Sequence, residues 1–105
     1  DFPVEDINPF KNFYAAVARK LPNDKSSQTF QSENALTRYE TLLGMTRWAA
    51  YANFEENEKG SIEVGKFADF IILDQDIMKV NIQDIIQTKI VATILNGKIV
   101  FSNRF

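Results

Sequence analysis

The 105-residue sequence contains no histidine and no cysteine. Imidazole is the commonest transition-metal ligand and the usual acid–base group near neutral pH. With neither imidazole nor thiolate, a zinc or iron site of the usual kind cannot form from this chain's own side chains. Serine or cysteine triads with a histidine base are excluded for the same reason, as are disulfides. Carboxylate chemistry, or none, is what remains. Clustered basic residues are also missing. Twelve Lys and Arg stand against fourteen Asp and Glu, for a net charge of −2, and Arg19-Lys20 is the one adjacent basic pair. Phosphate recognition needs a basic stripe, so nucleic acid is not an expected partner. No apolar run approaches the roughly 20 residues that span a bilayer, so a membrane partner is not expected either. The opening residues Asp1 to Asp6 have neither the basic stretch nor the apolar core of a signal peptide. A cytoplasmic setting is the default expectation.

What is present is ordinary globular composition, 45% hydrophobic and 25% charged. That implies one small domain or part of a larger one. Nine Phe against one Trp and three Tyr is a high count. In a chain that buries a small share of its surface, some of those rings are expected to pack against material outside it.

Asn8-Pro9 reads as an N-cap followed by proline in the first helical position. Phe10, Phe13, Tyr14 and Val17 follow on one helical face. Pro22 predicts a stop near Lys20, which puts Arg19-Lys20 in the last turn, favourably against the helix dipole. Residues 22–35 are polar and read as a mobile loop, with Phe30 placed to pin it to the body. Thr37 and Glu40 have capping-box spacing. Two short helices are predicted, about 38–44 and 46–53, with Thr46 able to cap the second. Glu55 to Lys59 reads as a solvated charge run.

After Gly60 the pattern turns to β. Phe70-Ile71-Ile72-Leu73 is a continuous apolar run, as in a strand covered on both faces. Asn81 to Ile86 predicts one or two helical turns capped by Asn81. Ile90 to Leu95 is β-branched and strand-like. Asn96-Gly97 is the strongest short hairpin signal, because a type I′ turn needs positive φ at both residues. Lys98-Ile99-Val100-Phe101 is the return strand. The fold class expected is α+β: two to four helices, then a small three-stranded, mainly antiparallel sheet.

One block carries a family resemblance. Lys59-Gly60-Ser61-Ile62-Glu63-Val64-Gly65-Lys66 leads through Phe67 into Ala68-Asp69-Phe70 and an apolar strand ending at Asp74. It resembles the amidohydrolase superfamily, specifically its third sequence family, of the N-substituted formamide deformylase type. Val64 stands where such enzymes usually carry proline. Leu36-Thr37-Arg38, Trp48-Ala49-Ala50-Tyr51-Ala52, Ala92-Thr93 and Asn96 to Phe101 also fit, so the resemblance covers nearly the whole chain. It implies a TIM-like barrel joined to a composite β-sandwich, with a divalent metal, zinc by expectation, at the C-terminal ends of the barrel strands. That metal polarises a carbonyl and activates water for attack on amide-type C–N bonds other than peptide bonds.

By the same resemblance, Asp1-Phe2-Pro3-Val4 matches the motif at the end of the eighth barrel strand. Asp1 is then both metal ligand and catalytic proton shuttle, in the complete enzyme only. Residues 1–56 correspond to the end of the barrel domain, and residues 57–105 to the C-terminal part of the sandwich. The chain is expected to be a C-terminal fragment, inactive alone and holding no cofactor, whose natural partner is the rest of the amidohydrolase chain. The alternative is a non-catalytic interaction or oligomerisation module derived from such an enzyme.

The remaining candidates read as structural. Asp69 and Asp74 flank a strand, where carboxylates solvate and cap. Glu55, Glu56 and Glu58 lack the converging oxygens a hard cation needs. Tyr39, Trp48 and Tyr51, at helical spacing, are expected in the core rather than in a cleft. A bare sheet edge and an apolar face around Ile71, Leu73, Val91 and Ile99 predict self-association.

Overall fold

The computed structural model describes residues 3–4, 6–21 and 28–103. The elements run α1 (Pro9–Ala18), α2 (Arg38–Met45), α3 (Arg47–Ala52), β1 (Phe70–Leu73), β2 (Ile90–Leu95) and β3 (Lys98–Ser102), with short 3-10 turns at Ser32–Asn34 and Ile82–Gln87. The class is α+β, with three α-helices and one small antiparallel sheet among the described residues. Two compact units divide the chain. The first comprises Asp1–Thr41 with Ile77–Thr88, the second Leu42–Asp76 with Lys89–Phe105.

In the first unit α1 begins as its sequence dictates. The Asn8 side chain accepts the Phe10 N–H at 3.0 Å, and Pro9 occupies the first turn, where its missing donor costs nothing. Phe10, Phe13, Tyr14 and Ala18 are buried, with Phe13 at 1% exposure, and Val17 is half-buried. This face packs on the 3-10 turn Ile82–Gln87, whose Ile85 is 0% exposed. Asn81 makes no side-chain cap there.

The helix stops two residues before the expected point. Arg19 takes the left-handed conformation at φ 57°, and its N–H closes on Ala15 O at 2.9 Å. The Arg19 side chain therefore leaves the helix axis. It donates to Phe30 O at 3.1 Å and lies over the Phe30 ring at 5.7 Å. Phe30 does tie down its loop, but through this cation–π contact and its N–H to Arg19 O rather than by burial, since its ring is exposed. Pro22 and the loop residues 22–27 lie outside the described residues.

The capping box at α2 closes in both directions. Glu40 N–H donates to Thr37 Oγ1, and Thr37 N–H donates to Glu40 Oε1, each at 3.1 Å. The Thr37 amide, with its hydroxyl, holds the Glu40 carboxyl below its ordinary value of 4.5. A depressed carboxylate contributes stability that is present above the ordinary value and lost as pH falls through the folded one. Glu40→Gln is therefore expected to flatten the acid limb of the stability–pH curve below about pH 4.5, read by urea melts across pH.

In the second unit, Thr46 does not cap α3. Its hydroxyl donates backwards to Leu42 O at 2.7 Å, leaving α3 without a side-chain cap. The C-terminus of α3 is a Schellman closure. Glu55 N–H reaches Ala50 O at 2.8 Å and Phe54 N–H reaches Tyr51 O at 3.0 Å. The left-handed residue of this closure is Phe54, at φ 61° and 92% exposed, where glycine is the usual occupant. Phe54→Gly is expected to stabilise the chain by about 0.5–1 kcal/mol, the relief of left-handed strain less the added chain entropy. Chemical denaturation of the pair checks it.

The sheet order is β1-β2-β3, antiparallel throughout. Phe70 pairs with Ile94 and Ile72 with Ala92, and a bulge follows between Ile72 and Leu73. Thr93 pairs with Phe101 and Leu95 with Lys98, with a second bulge between Thr93 and Ile94. Asn96 and Gly97 have φ of 51° and 76°, the expected type I′ turn. Val91, Ala92 and Ile94 of the central strand are buried. The outer strands depart from expectation. Phe70, Ile71 and Ile72 are all exposed, so β1 is uncovered on both faces rather than sandwiched. Val91 leaves the predicted apolar face and is buried, while Val100 and Phe101 join Ile99 at the surface. No helix among the described residues is long and apolar enough to cross a membrane.

Candidate functional site

The glycine-bracketed block builds a turn of defined type. Lys66 N–H returns to Glu63 O at 3.1 Å, and Gly65 sits at φ 94° while Val64 has negative φ, which is a type II turn. That turn favours proline at the position Val64 occupies, and no hydrogen bond among the described residues uses the Val64 N–H. Val64→Pro is accordingly expected to add about 0.4–1 kcal/mol in a thermal or urea melt.

Side chains close the same turn. Ser61 Oγ donates to Glu63 Oε2, and Lys66 Nζ reaches Ser61 Oγ at 2.8 Å and Glu63 Oε2 at 3.1 Å. The Ser61 hydroxyl, then the Lys66 ammonium, hold the Glu63 carboxyl below its ordinary range. Beside this turn lies an open cleft of about 640 Å³, lined by Arg47, Trp48 and Tyr51 of α3 and by Glu56, Lys59 and Lys66.

Asp69 and Asp74 act as clamps on the sheet. Asp69 Oδ1 accepts the Asn96 N–H at 2.8 Å and Ala68 O accepts the Gly97 N–H at 2.9 Å. The Ala68-Asp69 pair thus holds the Asn96-Gly97 turn, which ties two distant blocks of the sequence signature to one structural device. At the other end, Lys89 N–H donates to Asp74 Oδ1 at 2.9 Å and Asp74 N–H to Lys89 O at 3.0 Å. Both carboxylates engage backbone amides at strand ends, as the structural reading had it.

Glu55 pairs with Lys59 at 2.8 Å, which raises the Lys59 ammonium above its ordinary value. Tyr39, Trp48 and Tyr51 are not core residues. All three are exposed, because the helices bury the small side chains Thr41 and Ala50 instead. Gly60 and Ala50 approach so closely that no large side chain fits between them. Nothing in an apolar helical period distinguishes that arrangement from ring-in packing. Asp1 lies outside the described residues.

A catalytic zinc needs three protein donors besides water. Among the described residues no group of three or more acidic side chains converges, and the chain has no His or Cys to add. These residues do not fit a catalytic metal on their own.

The chain is similar over 98 residues to the protein LONG AFTER FAR-RED 3 of Arabidopsis thaliana, at 33% identity, covering 93% of this chain and 16% of that protein. It is 28% identical over 101 residues to the amidohydrolase-family protein YtcJ of Bacillus subtilis (strain 168), covering 96% of this chain and 19% of the relative. It is also 28% identical over 97 residues to N-substituted formamide deformylase of Arthrobacter pascens, covering 92% and 17% respectively. The chain therefore spans 16% to 19% of the length of these curated relatives. No solved structure gives a significant match. The model of the amidohydrolase family matches residues 1–101, so the chain belongs to the amidohydrolase family.

Proposed function

We propose that this chain is the C-terminal section of a metal-dependent amidohydrolase that hydrolyses amide-type C–N bonds other than peptide bonds. The observation that carries the reading is the family match over residues 1–101 by a chain a fifth or less the length of its relatives. A relative that deformylates N-substituted formamides supports the bond class. In this reading residues 1–56 close a TIM-like barrel and residues 57–105 complete a β-sandwich in a cytoplasmic enzyme. The rest of the amidohydrolase chain brings the histidines this sequence lacks. Zinc is the metal proposed, and Asp1 is the one residue of this chain proposed to reach it, as ligand and proton shuttle. The described residues contribute structure: the type II turn at Glu63–Lys66 and the clamps at Asp69 and Asp74 hold the small sheet in register.

The reading is tested on the 105-residue chain and on its upstream reading frame. The chain, supplied with zinc, is expected to leave N-substituted formamides intact, and the sequence preceding Asp1 is expected to encode a barrel carrying histidine ligands. Turnover by the purified chain, or an upstream frame without such a barrel, would overturn it.

A further inference from the structure

Asn96-Gly97 is the one Asn-Gly pair in the sequence, and both residues are exposed at the tip of the β2–β3 hairpin. Asparagine is a thermolabile side chain. Its Cγ lies within reach of the next backbone nitrogen, and glycine, having no Cβ, leaves that nitrogen unhindered. Attack forms a bond between Gly97 N and Asn96 Cγ, and the Cγ–Nδ2 bond breaks. The proton of the Gly97 amide passes through solvent to the departing nitrogen, which leaves as ammonia. Water then opens the cyclic imide. Opening at Cγ leaves an aspartyl side chain at position 96. Opening at the main-chain carbonyl leaves an isoaspartyl link, with the backbone running through Cβ and Cγ.

The fold opposes the first step. In a two-residue hairpin turn neither central N–H has a partner within the hairpin. Here both are taken by residues just ahead of β1. Ala68 O accepts the Gly97 N–H at 2.9 Å, and Asp69 Oδ1 accepts the Asn96 N–H at 2.8 Å. These acceptors are themselves held, because Phe67 N–H donates to Glu58 O at 2.8 Å and Asp69 N–H to Phe67 O at 2.9 Å. The bond to Ala68 keeps on the attacking nitrogen the proton that has to leave. The bond to Asp69 fixes Asn96 in its left-handed conformation at φ 51°. A type I′ turn also sets the Asn96 ψ, and ring closure requires that torsion to rotate.

We propose that Asn96-Gly97 is a conditional deamidation site, shut while the Ala68-Asp69 clamp holds both turn amides and opened by local release of that clamp, with water as the only co-reactant. The products do not restore the original turn. The new carboxylate adds a negative charge to a net −2, close to the Asp69 carboxylate that binds the same residue's N–H. The isoaspartyl link lengthens a two-residue turn by one backbone atom, which a type I′ turn does not accommodate. Each opening that reacts is thus recorded permanently in the chain. The inference stands apart from the enzymatic reading.

Incubation of the 105-residue chain in mildly alkaline buffer tests it, with position 96 followed by peptide mapping and isoaspartyl detection. The reference is a free peptide with the sequence Thr93–Val100. The folded chain is expected to deamidate at least about tenfold more slowly than the peptide, since two hydrogen bonds must open first. Asp69→Ala is expected to react about tenfold faster than the unsubstituted chain, the factor carried by one hydrogen bond to a charged group. Asp74→Ala loses the same kind of bond at the other end of β1 and is expected to keep the unsubstituted rate. In urea sufficient to unfold them, all three chains are expected to converge on the peptide, because Asp69 lies 27 residues from Asn96 along the chain. A folded chain as fast as the peptide would overturn the proposal, as would an Asp69→Ala rate equal to or below the unsubstituted one. Equal acceleration by Asp74→Ala would show that the turn reacts through general unfolding of the sheet, and a difference that persists in urea would show that the clamp is not the cause. Either result also overturns it.

Discussion

Gly60→Ala is expected to destabilise the chain by about 4 kcal/mol, roughly twice the effect of the same change at Gly65. Both glycines adopt almost the same backbone conformation, at φ 98° and 94°. Side chains avoid that region, and forcing alanine into it costs about 1–3 kcal/mol at either position. The surroundings then divide them. A Cβ on Gly65 would meet nothing within 4 Å, whereas a Cβ on Gly60 would lie 2.8 Å from Ala50 Cβ and 3.2 Å from both Arg47 Cα and Thr46 O. Two of those three neighbours are backbone atoms of the α3 start, which cannot rotate aside, so overpacking adds about 1–3 kcal/mol. Urea melts of the two variants isolate the steric part as their difference. The double variant Gly60→Ala with Ala50→Gly should recover only part of it, because the contacts with Arg47 and Thr46 persist. Equal losses at Gly60 and Gly65 would mean that α3 does not crowd Gly60 in solution.

Much of this local chemistry was legible in the sequence because its signals act over a few residues. Asn8-Pro9, the Thr37 and Glu40 pair and Asn96-Gly97 each specify their own backbone hydrogen bonds, and each forms as expected. The strand limits followed from β-branched runs bounded by Asp and Asn. What failed depended on partners far along the chain. Arg19 leaves its helix because Phe30, eleven residues on, offers a carbonyl and a ring. Thr46 bonds back to Leu42 because α2 ends one residue before it. The aromatic residues of α2 and α3 point outward because Ala50 takes the inner position against Gly60, a packing choice that apolar spacing does not encode. An apolar run such as Phe70–Leu73 states that a strand is suited to burial on both faces, but not what buries it. The site was legible only as a family resemblance. The described part of that signature proves to be turn and clamp, and Asp1 falls outside it.

Phe13→Ala is expected to cost about 3–5 kcal/mol and to act on one of the two units. Phe13 and Ile85 are the two largest side chains buried to within 2% of complete exclusion. They sit on α1 and on the 3-10 turn Ile82–Gln87, elements separated by more than sixty residues that pack on each other within the first unit. A ten-residue helix is too short to persist in water on propensity alone, so α1 depends on this contact. Truncating the ring removes its transfer free energy and leaves a cavity that the flanking Phe10 and Tyr14, themselves buried, have little freedom to fill. A loss of that size is a large fraction of the stability of a domain this small. Native-state hydrogen exchange locates it. Protection should fall in Pro9–Ala18 and Ile82–Gln87, while the β2–β3 ladder between Ile90 and Ser102, held by its own turn and by the Asp69 and Asp74 clamps, should lose less. Phe13→Leu, which keeps most of the volume, should cost less than half as much. A uniform fall across both units would show that they unfold as a single cooperative body, and a cost under about 1 kcal/mol would show that α1 is not anchored by Phe13.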